Sequence, residues 1–421
     1  MTDHLSRAEA QAMDAADVLA EFRGRFHLPD DDLVYLDGNS LGRLPLATVD
    51  RLAEVVTQEW GDRLIRSWNE HWFDLPQRVG DLIGTHFLGA APGQVVVSDS
   101  TTVNFYKLVH AALDARPDRH TVVADFNNFP TDRYVVEGIA AARGGNVRAV
   151  EFDEIDGPTA ESVAAVVDED TALVTLSQVD YRSGALADLA AITEVAHAAG
   201  ALVLWDLSHS VGAVPIDLDG AGVDLAVGCT YKYLNGGPGA PAFLYVRAEH
   251  QEALRQPIWG WYGQRDQFAM GEGYDPVPGI TRFLTGTPSV LGAVGAETGA
   301  ALLAEAGIER LRTKGIALSE LAISLADQWL APLGFELRSP RSAALRGSHV
   351  SLAHPEAYRV CRTLIERERV VPDFRAPDRL RLGFAPITTR FVDVWDALDA
   401  MRRTVAEGAH QTFELTELPV T

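Results

Sequence analysis

Cysteine, lysine and long apolar runs are scarce in this chain, and each scarcity narrows what the chain can be. Of 421 residues only two are cysteines, Cys229 and Cys361, and they form no CxxC. A disulfide scaffold is unsupported at this size, so a reduced, cytoplasmic setting is expected. The most apolar stretch, Ala198 to Trp205, is far too short to span a bilayer. The start, Met1-Thr2-Asp3-His4-Leu5-Ser6-Arg7, lacks the apolar centre of a signal peptide. Basic residues are outnumbered: 36 Lys and Arg against 59 Asp and Glu leave a formal charge of -23. Nucleic acids and anionic membranes recruit clustered basic side chains, so neither is expected as a partner. The acidic balance serves solubility, and an anionic substrate must be met by a local positive site.

What is present is the composition of a globular protein, 47% hydrophobic and 23% charged, long enough for a large and a smaller domain. Short β-branched runs at 94–98, 121–125, 147–152, 172–177, 201–206, 224–228 and 242–246 predict strands. Helix-period segments at 103–114, 131–143, 159–167 and 187–199 fall between them. This α/β alternation predicts a mostly parallel sheet with helices on both faces, where ligands gather at the carboxyl ends of the strands. Upstream, helices are expected at 9–27 and 46–66, flanking a strand-like 33–36. An Ala-rich helical region at 289–331 is expected to break near Gly307 and Gly315. Beyond Pro332, short strands at 334–338, 348–352 and 379–384 alternate with helices at 355–368 and 391–406, which predicts a smaller α+β domain. The expected division is a large domain over 46–300 and a small one from 1–45 with 301–421.

Lysine is the most informative scarcity. Lys107, Lys232 and Lys314 stand against 33 arginines. Codon bias toward arginine accounts for the count, but the three positions differ. Lys107 falls inside the helix near 103–114 and Lys314 in the polar break Arg310-Leu311-Arg312-Thr313-Lys314-Gly315, so both are expected at the surface. Lys232 follows the apolar strand at 224–228 and precedes the turn Asn235-Gly236-Gly237-Pro238-Gly239. A lysine at a strand end is well placed for Schiff-base chemistry, because desolvation lowers its pKa and makes the amine a nucleophile.

A pyridoxal-phosphate site needs such a lysine, an acid for the pyridine nitrogen, a phosphate cradle and a partner for the ring. Asp206 ends the strand at 201–206, at the expected ligand edge; the same position suits a helix N-cap. Asp99-Ser100-Thr101-Thr102-Val103-Asn104 lies between a strand and a helix, where free N–H groups and the helix dipole hold a dianion, and where hydroxyls also serve as plain caps. Phe129, in Asn127-Asn128-Phe129-Pro130-Thr131-Asp132, can lie on a ring or pack in the core.

Taken together these segments resemble kynureninase, a family of the fold type I, aspartate-aminotransferase-like pyridoxal-phosphate enzymes. The resemblance runs from Tyr35-Leu36-Asp37-Gly38-Asn39-Ser40-Leu41-Gly42 through Asn128-Phe129-Pro130-Thr131-Asp132, Trp205-Asp206-Leu207-Ser208-His209 and Tyr231-Lys232-Tyr233-Leu234-Asn235-Gly236-Gly237. It continues in Gly260-Trp261-Tyr262-Gly263, Arg346-Gly347-Ser348-His349 and Asp373-Phe374-Arg375-Ala376-Pro377-Asp378, covering nearly the whole chain. It implies that Lys232 links the cofactor and moves protons, that Asp206 pairs with the pyridine nitrogen beside His209, and that Phe129 stacks on the ring. Thr101, Thr102, Tyr231 and Trp261 are implied at the phosphate, with Ser177 and Asp132 close to the cofactor. Trp261 and Thr287 are implied to come from a neighbouring subunit, which makes a homodimer with shared active sites. Arg381 is implied to grip the substrate carboxylate, a role the planar guanidinium suits; Arg375 is the alternative, and a surface ion pair would explain either.

The implied reaction is hydrolytic cleavage of the Cβ–Cγ bond of L-kynurenine, or a 3-hydroxy or ring-substituted form, with Tyr231 as candidate proton relay. Three departures from the family stand at Gln264, in place of a histidine, at Asp180, and in Ala385-Pro386-Ile387-Thr388-Thr389-Arg390, which lacks a tyrosine. The rival in the same fold is a cysteine desulfurase or selenocysteine lyase, which needs a mobile nucleophilic cysteine. Cys361 lies in the right third of the chain, but its surroundings have helical periodicity, which predicts a buried, inert thiol. Cys229 reads as packing. A simple aminotransferase and a non-catalytic binding protein are the remaining alternatives, and retention of both Lys232 and Asp206 weighs against the second.

Overall fold

The computed structural model describes residues 5–30 and 33–413. Met1–His4, part of the segment read above for a signal sequence, lies outside the described residues. In chain order come β1 (Val34–Tyr35), β2 (Val95–Ser98), β3 (Thr121–Ala124), β4 (Asn146–Ala149), β5 (Thr171–Ser177), β6 (Leu202–Asp206), β7 (Leu225–Gly228) and β8 (Ala242–Val246). The last seven make one sheet in the order β2-β8-β7-β6-β5-β3-β4. Only β8 runs against its neighbours, β2 and β7. The expected mostly parallel sheet is therefore present.

Successive side chains point to opposite faces of a strand, and here both faces are covered. Val95, Val97, Trp205, Ala226, Phe243 and Tyr245 face one core, under helices Leu75–Ile83, Leu189–Ala198 and Val290–Ala306. Val96, Leu204, Leu225, Val227, Leu244 and Val246 face the other, under Thr101–Asp114 and Pro130–Arg143. Burying each such side chain contributes about 1.5–3 kcal/mol, which is why these strands read as apolar runs.

The remaining strands are β9 (Glu336–Leu337), β10 (His349–Ala353), β11 (Val370–Val371), β12 (Asp373–Arg375) and β13 (Arg379–Gly383). Four form an antiparallel sheet in the order β12-β13-β10-β9, while β11 pairs in parallel with β1. A third core joins Ala10, Val34 and Leu36 to Val350, Leu352, Leu380, Leu382 and Leu398.

Several helix bounds differ from expectation for physical reasons. The helix foreseen at 9–27 is two pieces, Arg7–Ala15 and Ala20–Arg23; Ser6 and Glu9 cap the first in a reciprocal box. Asp17 accepts from Leu19 N at 2.9 Å in the turn between them. The long helical region breaks once, at Gly307 with φ +84°, into Val290–Ala306 and Ile308–Leu325. Gly315 stays inside the second helix, because a Cβ there would come within 3.0 Å of Ser348 Oγ: close packing, rather than a break, explains that glycine. Strands β11 and β12, of two and three residues, carry no clear period in the sequence; helix Leu75–Ile83 was not foreseen, although Leu75, Val79 and Ile83 recur at helical spacing on its buried face.

Candidate active site

Six strands of the large sheet end along one edge, and the segments leaving five of them, β2, β3, β5, β6 and β7, meet there. Register places Ser177, at the end of β5, directly beside Asp206, at the end of β6. Beyond β7 the chain turns through Tyr231 and Lys232; beyond β2 and β3 it passes Asp99–Thr102 and Phe129–Asp132. These segments enclose a cavity of about 370 Å³. Thr101, Thr102, Phe129, Asp132, Ser177, Asp206, His209, Tyr231, Lys232 and Arg381 all line it. Trp261 and Thr287 do not. Both are exposed side chains outside the cavity, Trp261 at 43%.

Lys232 Nζ lies 2.9 Å from His209 Nε2. His209 is buried, with no hydrogen-bond partner on Nδ1. Burial first, then the charge of Lys232, hold its imidazole well below the usual histidine range, so it is neutral. Asp206 does not cap a helix: residues 208–213 form turns, and its Oδ1 accepts from Ser208 N at 2.7 Å. Asp132 sits fully buried against Asp206, and burial, then that neighbouring charge, push its carboxyl well above the usual range. Asn128 supports it from below, donating to Asp132 Oδ2 at 3.0 Å and accepting from Ser177 Oγ at 2.7 Å. Two carboxyl groups buried side by side do not both ionise without a cation between them, so they form a site for a protonated ring nitrogen.

The opposite end of the cavity suits an anion. Helix Thr101–Asp114 begins there with Ser100 as N-cap, its Oγ accepting from Val103 N at 3.4 Å, while the first helical N–H groups point outward. The site therefore offers a lysine, a carboxylate for a ring nitrogen, an aromatic wall at Phe129 and an anion cradle, which is the donor set that pyridoxal phosphate requires. Phe129 is half exposed and meets Tyr181 edge to face, with ring centroids 5.5 Å apart.

Two of the three lysines contradict the surface positions expected of them. Lys107 is 0% exposed, because the segment around Phe283 covers its helix, and its Nζ meets Asp99 Oδ2 at 2.8 Å and Phe283 O at 2.9 Å. Lys314 is buried too, with its Nζ 2.6 Å from Asp17 Oδ2, where the N-terminal turn folds over helix Ile308–Leu325. Neither lines the cavity, and Lys232 does.

The small sheet supplies the positive wall. Arg381 on β13 stands opposite Asp373 on β12. They are 1% and 2% exposed, so the pair is buried rather than a surface one. Arg381 Nε donates to Asp373 Oδ2 at 2.6 Å, Nη2 donates to Ser40 Oγ at 3.3 Å, and Nη1 donates to the Tyr181 carbonyl. Arg375 lines the cavity beside it, 3.2 Å from the same carboxylate.

Family comparisons agree with this geometry. Residues 34–353 match the model of class-V aminotransferases, and residues 311–401 that of the kynureninase C-terminal domain. A kynureninase of Pseudomonas fluorescens is 43% identical over 418 residues, covering 96% of this chain and 98% of that protein. The chain belongs to the kynureninase family. A second relative, the kynureninase of Burkholderia pseudomallei strain 1106a, is 44% identical over 402 residues, 94% of this chain and 95% of its own. Among solved structures, an apo cysteine desulfurase from Thermococcus onnurineus NA1 superposes with a TM-score of 0.79 at 18% identity, covering 92% of this chain and 98% of its own. A C-DES mutant with glycine covalently linked to its PLP cofactor gives 0.78 at 20%, covering 90% and 98%. Those two share the fold. As a kynureninase-family member the chain is a pyridoxal-phosphate enzyme that hydrolyses a carbon–carbon bond.

The desulfurase alternative loses its nucleophile. Cys361 is buried within helix Ala357–Thr363, outside the cavity, and burial pushes its thiol up. Cys229 is likewise buried, its Sγ 3.8 Å from Ser208 O. Two of the departures from the family also lie off the cavity. Asp180 closes its own turn, accepting from Ser183 N at 2.6 Å, and Gln264 Oε1 accepts from Asp275 N at 2.8 Å. The third stretch, from Ala385, is a buried turn in which Thr389 Oγ1 accepts from Ala385 N at 3.1 Å.

Sequence reasoning missed Asn128, Ser40 and Tyr181 as parts of the site, although Asn128 and Ser40 fall in segments it singled out. It also missed a close approach: Gly42 N donates to Tyr231 O at 2.8 Å, and a Cβ on Gly42 would lie 2.3 Å from Lys232 O. Gly42→Ala is expected to cost about 1–3 kcal/mol by overpacking and to shift the lysine turn. Thermal unfolding and the visible absorbance of bound cofactor would both change; an unchanged absorbance would mean the turn tolerates the methyl group.

Proposed function

We propose that the chain cleaves the Cβ–Cγ bond of L-kynurenine, or of a 3-hydroxy or ring-substituted kynurenine, giving anthranilate or its substituted form and L-alanine in cytoplasmic tryptophan catabolism. The observation that carries this reading is the meeting of Lys232, Asp206 and Arg381 on one cavity. Pyridoxal phosphate, bound there, supplies an electron sink for the bonds that change at the substrate's α- and β-carbons. Lys232 holds it and carries the α-proton on Nζ; neutral His209 is the group beside that amine. Asp206 pairs with the ring nitrogen, with Asp132 and Ser177 close by and Phe129 against the ring face. Thr101, Thr102 and Tyr231 hold the phosphate. The Cys229 sulfur and burial raise the Tyr231 hydroxyl, which keeps it protonated and able to relay a proton to the departing fragment. Arg381 takes the substrate carboxylate.

Trp261 and Thr287 complete the site across a homodimer, a reading supported by their exposure outside their own cavity. The proposed domains are 46–300 and 1–45 with 301–421. The core that joins Ala10, Val34 and Leu36 to the C-terminal strands supports that division, although Leu19, Phe22 and Phe26 pack into the large core.

Purified protein supplied with pyridoxal phosphate and L-kynurenine is expected to release anthranilate, read by its fluorescence, with an equal amount of alanine. A parallel run with 3-hydroxykynurenine ranks the two substrates. Bound cofactor with no product from either would sink the substrate assignment.

A further inference from the structure

The mechanism above leaves Lys107 unused, yet it is the most deeply committed lysine of the three. An ammonium has three N–H donors, and here each has an acceptor. Lys107 Nζ donates to Asp99 Oδ2 at 2.8 Å, to Ser98 Oγ at 3.2 Å and to Phe283 O at 2.9 Å. Asp99 lines the cavity and directly precedes Ser100, Thr101 and Thr102. It holds φ at +48°, a left-handed conformation that costs a non-glycine residue energy and persists only when its surroundings fix it. Its Oδ1 in turn accepts from Thr285 Oγ1 at 3.4 Å. One buried ammonium thus joins the end of β2, the strained residue before the anion cradle and the 283–285 segment.

Charge makes the arrangement more than a brace. A carboxylate on the wall of an anion site repels the anion, and Lys107 is the ion-pair partner that the described residues give Asp99. We propose that Lys107 is a positioning residue for the cofactor's phosphate group, cancelling the Asp99 charge and locking the Asp99–Thr102 turn in its anion-binding form. This inference rests on the reading of Thr101 and Thr102 as the phosphate cradle. Burial pulls the Lys107 ammonium down and Asp99 opposes that shift, so the two charges sustain each other.

The test titrates cofactor-free protein with pyridoxal phosphate and, separately, with pyridoxal, which lacks the phosphate, following visible absorbance. Wild type is expected to prefer the phosphorylated form. Lys107→Met leaves Asp99 an uncompensated carboxylate and is expected to weaken pyridoxal phosphate by about 10- to 100-fold, with pyridoxal changed less than about threefold. Asp99→Asn with Lys107→Met removes both charges and is expected to recover most of the lost affinity. That double variant, with Asp99→Asn alone, carries the test if Lys107→Met does not fold; both are then expected to keep the preference for the phosphorylated form. A Lys107→Met protein that keeps the wild-type preference, or loses both ligands equally, overturns the proposal while the cradle reading stands. A double variant no better than Lys107→Met, or without the preference, also overturns it. A wild type indifferent to the phosphate would overturn the cradle reading itself, and this inference with it.

Discussion

Lys232→Ala is expected to lower anthranilate release by at least about 10³-fold, the scale on which a positioned proton carrier and nucleophile act, and to abolish covalent attachment of the cofactor. Neither of the other two lysines can take over. Lys107 Nζ is held by three acceptors under the 283–285 segment, and Lys314 is paired with Asp17 away from the cavity. Lys232 Nζ, by contrast, meets the neutral His209 at 2.9 Å on the wall of the cavity. Borohydride reduction of the loaded wild type followed by peptide mass mapping should place the cofactor mass on Lys232; the variant should carry none. Lys232→Arg keeps the positive charge but replaces the amine with a guanidinium that stays protonated. It should fail as completely as alanine, which separates amine chemistry from electrostatics. A label on Lys107 or Lys314, or an alanine variant within a hundredfold of wild type, would refute the assignment.

How far the site was legible in the sequence depended on whether a residue's role is local or arises from pairing. Lys232, Asp206, Thr101 and Thr102 each follow an apolar strand, so the rule that ligands gather at carboxyl ends of parallel strands finds them one at a time. The sheet itself was legible for the same reason, since both faces are covered and its strands read as short apolar runs. Ser177 beside Asp206, and Arg381 beside Asp373, come from strand register, which no local pattern encodes. The surface expectation for Lys107 failed because helix Thr101–Asp114 is covered a second time by residues far along the chain, and Phe283 supplies the carbonyl that makes the burial tolerable. The short strands β11 and β12 were invisible because two or three residues carry no period, and their partners lie in distant segments.

Removing Arg381 is expected to have two separable consequences. The first is on substrate. A carboxylate in the cavity loses its guanidinium, and kcat/KM for kynurenine should fall roughly 10²- to 10³-fold, the range for deleting one partner of a buried charged contact. The second is on stability. Asp373 is 2% exposed and would lose the guanidinium that stands opposite it on β13, with Arg375 3.2 Å away, so Arg381→Leu should cost about 3–5 kcal/mol, the penalty for deleting one partner of a buried ion pair. Asp37 sharpens this. Burial, then the Asp373 charge, push its carboxyl up to about 6, and Arg381 is one of the groups holding it down. A group raised in the folded state gives up stability as pH climbs from its unfolded value toward the folded one. Without Arg381 that loss deepens, so the fall in Tm should be larger at pH 8 than at pH 5. Asp373→Asn in the Arg381→Leu background removes the charge that faced the lost guanidinium; it should restore much of the Tm and none of the kcat/KM. Asp373→Asn alone keeps the guanidinium but loosens its aim, raising KM more than it lowers kcat. Were the double variant to regain activity along with stability, Arg381 would be a structural arginine, and Arg375, on the same wall, would be left to hold the substrate.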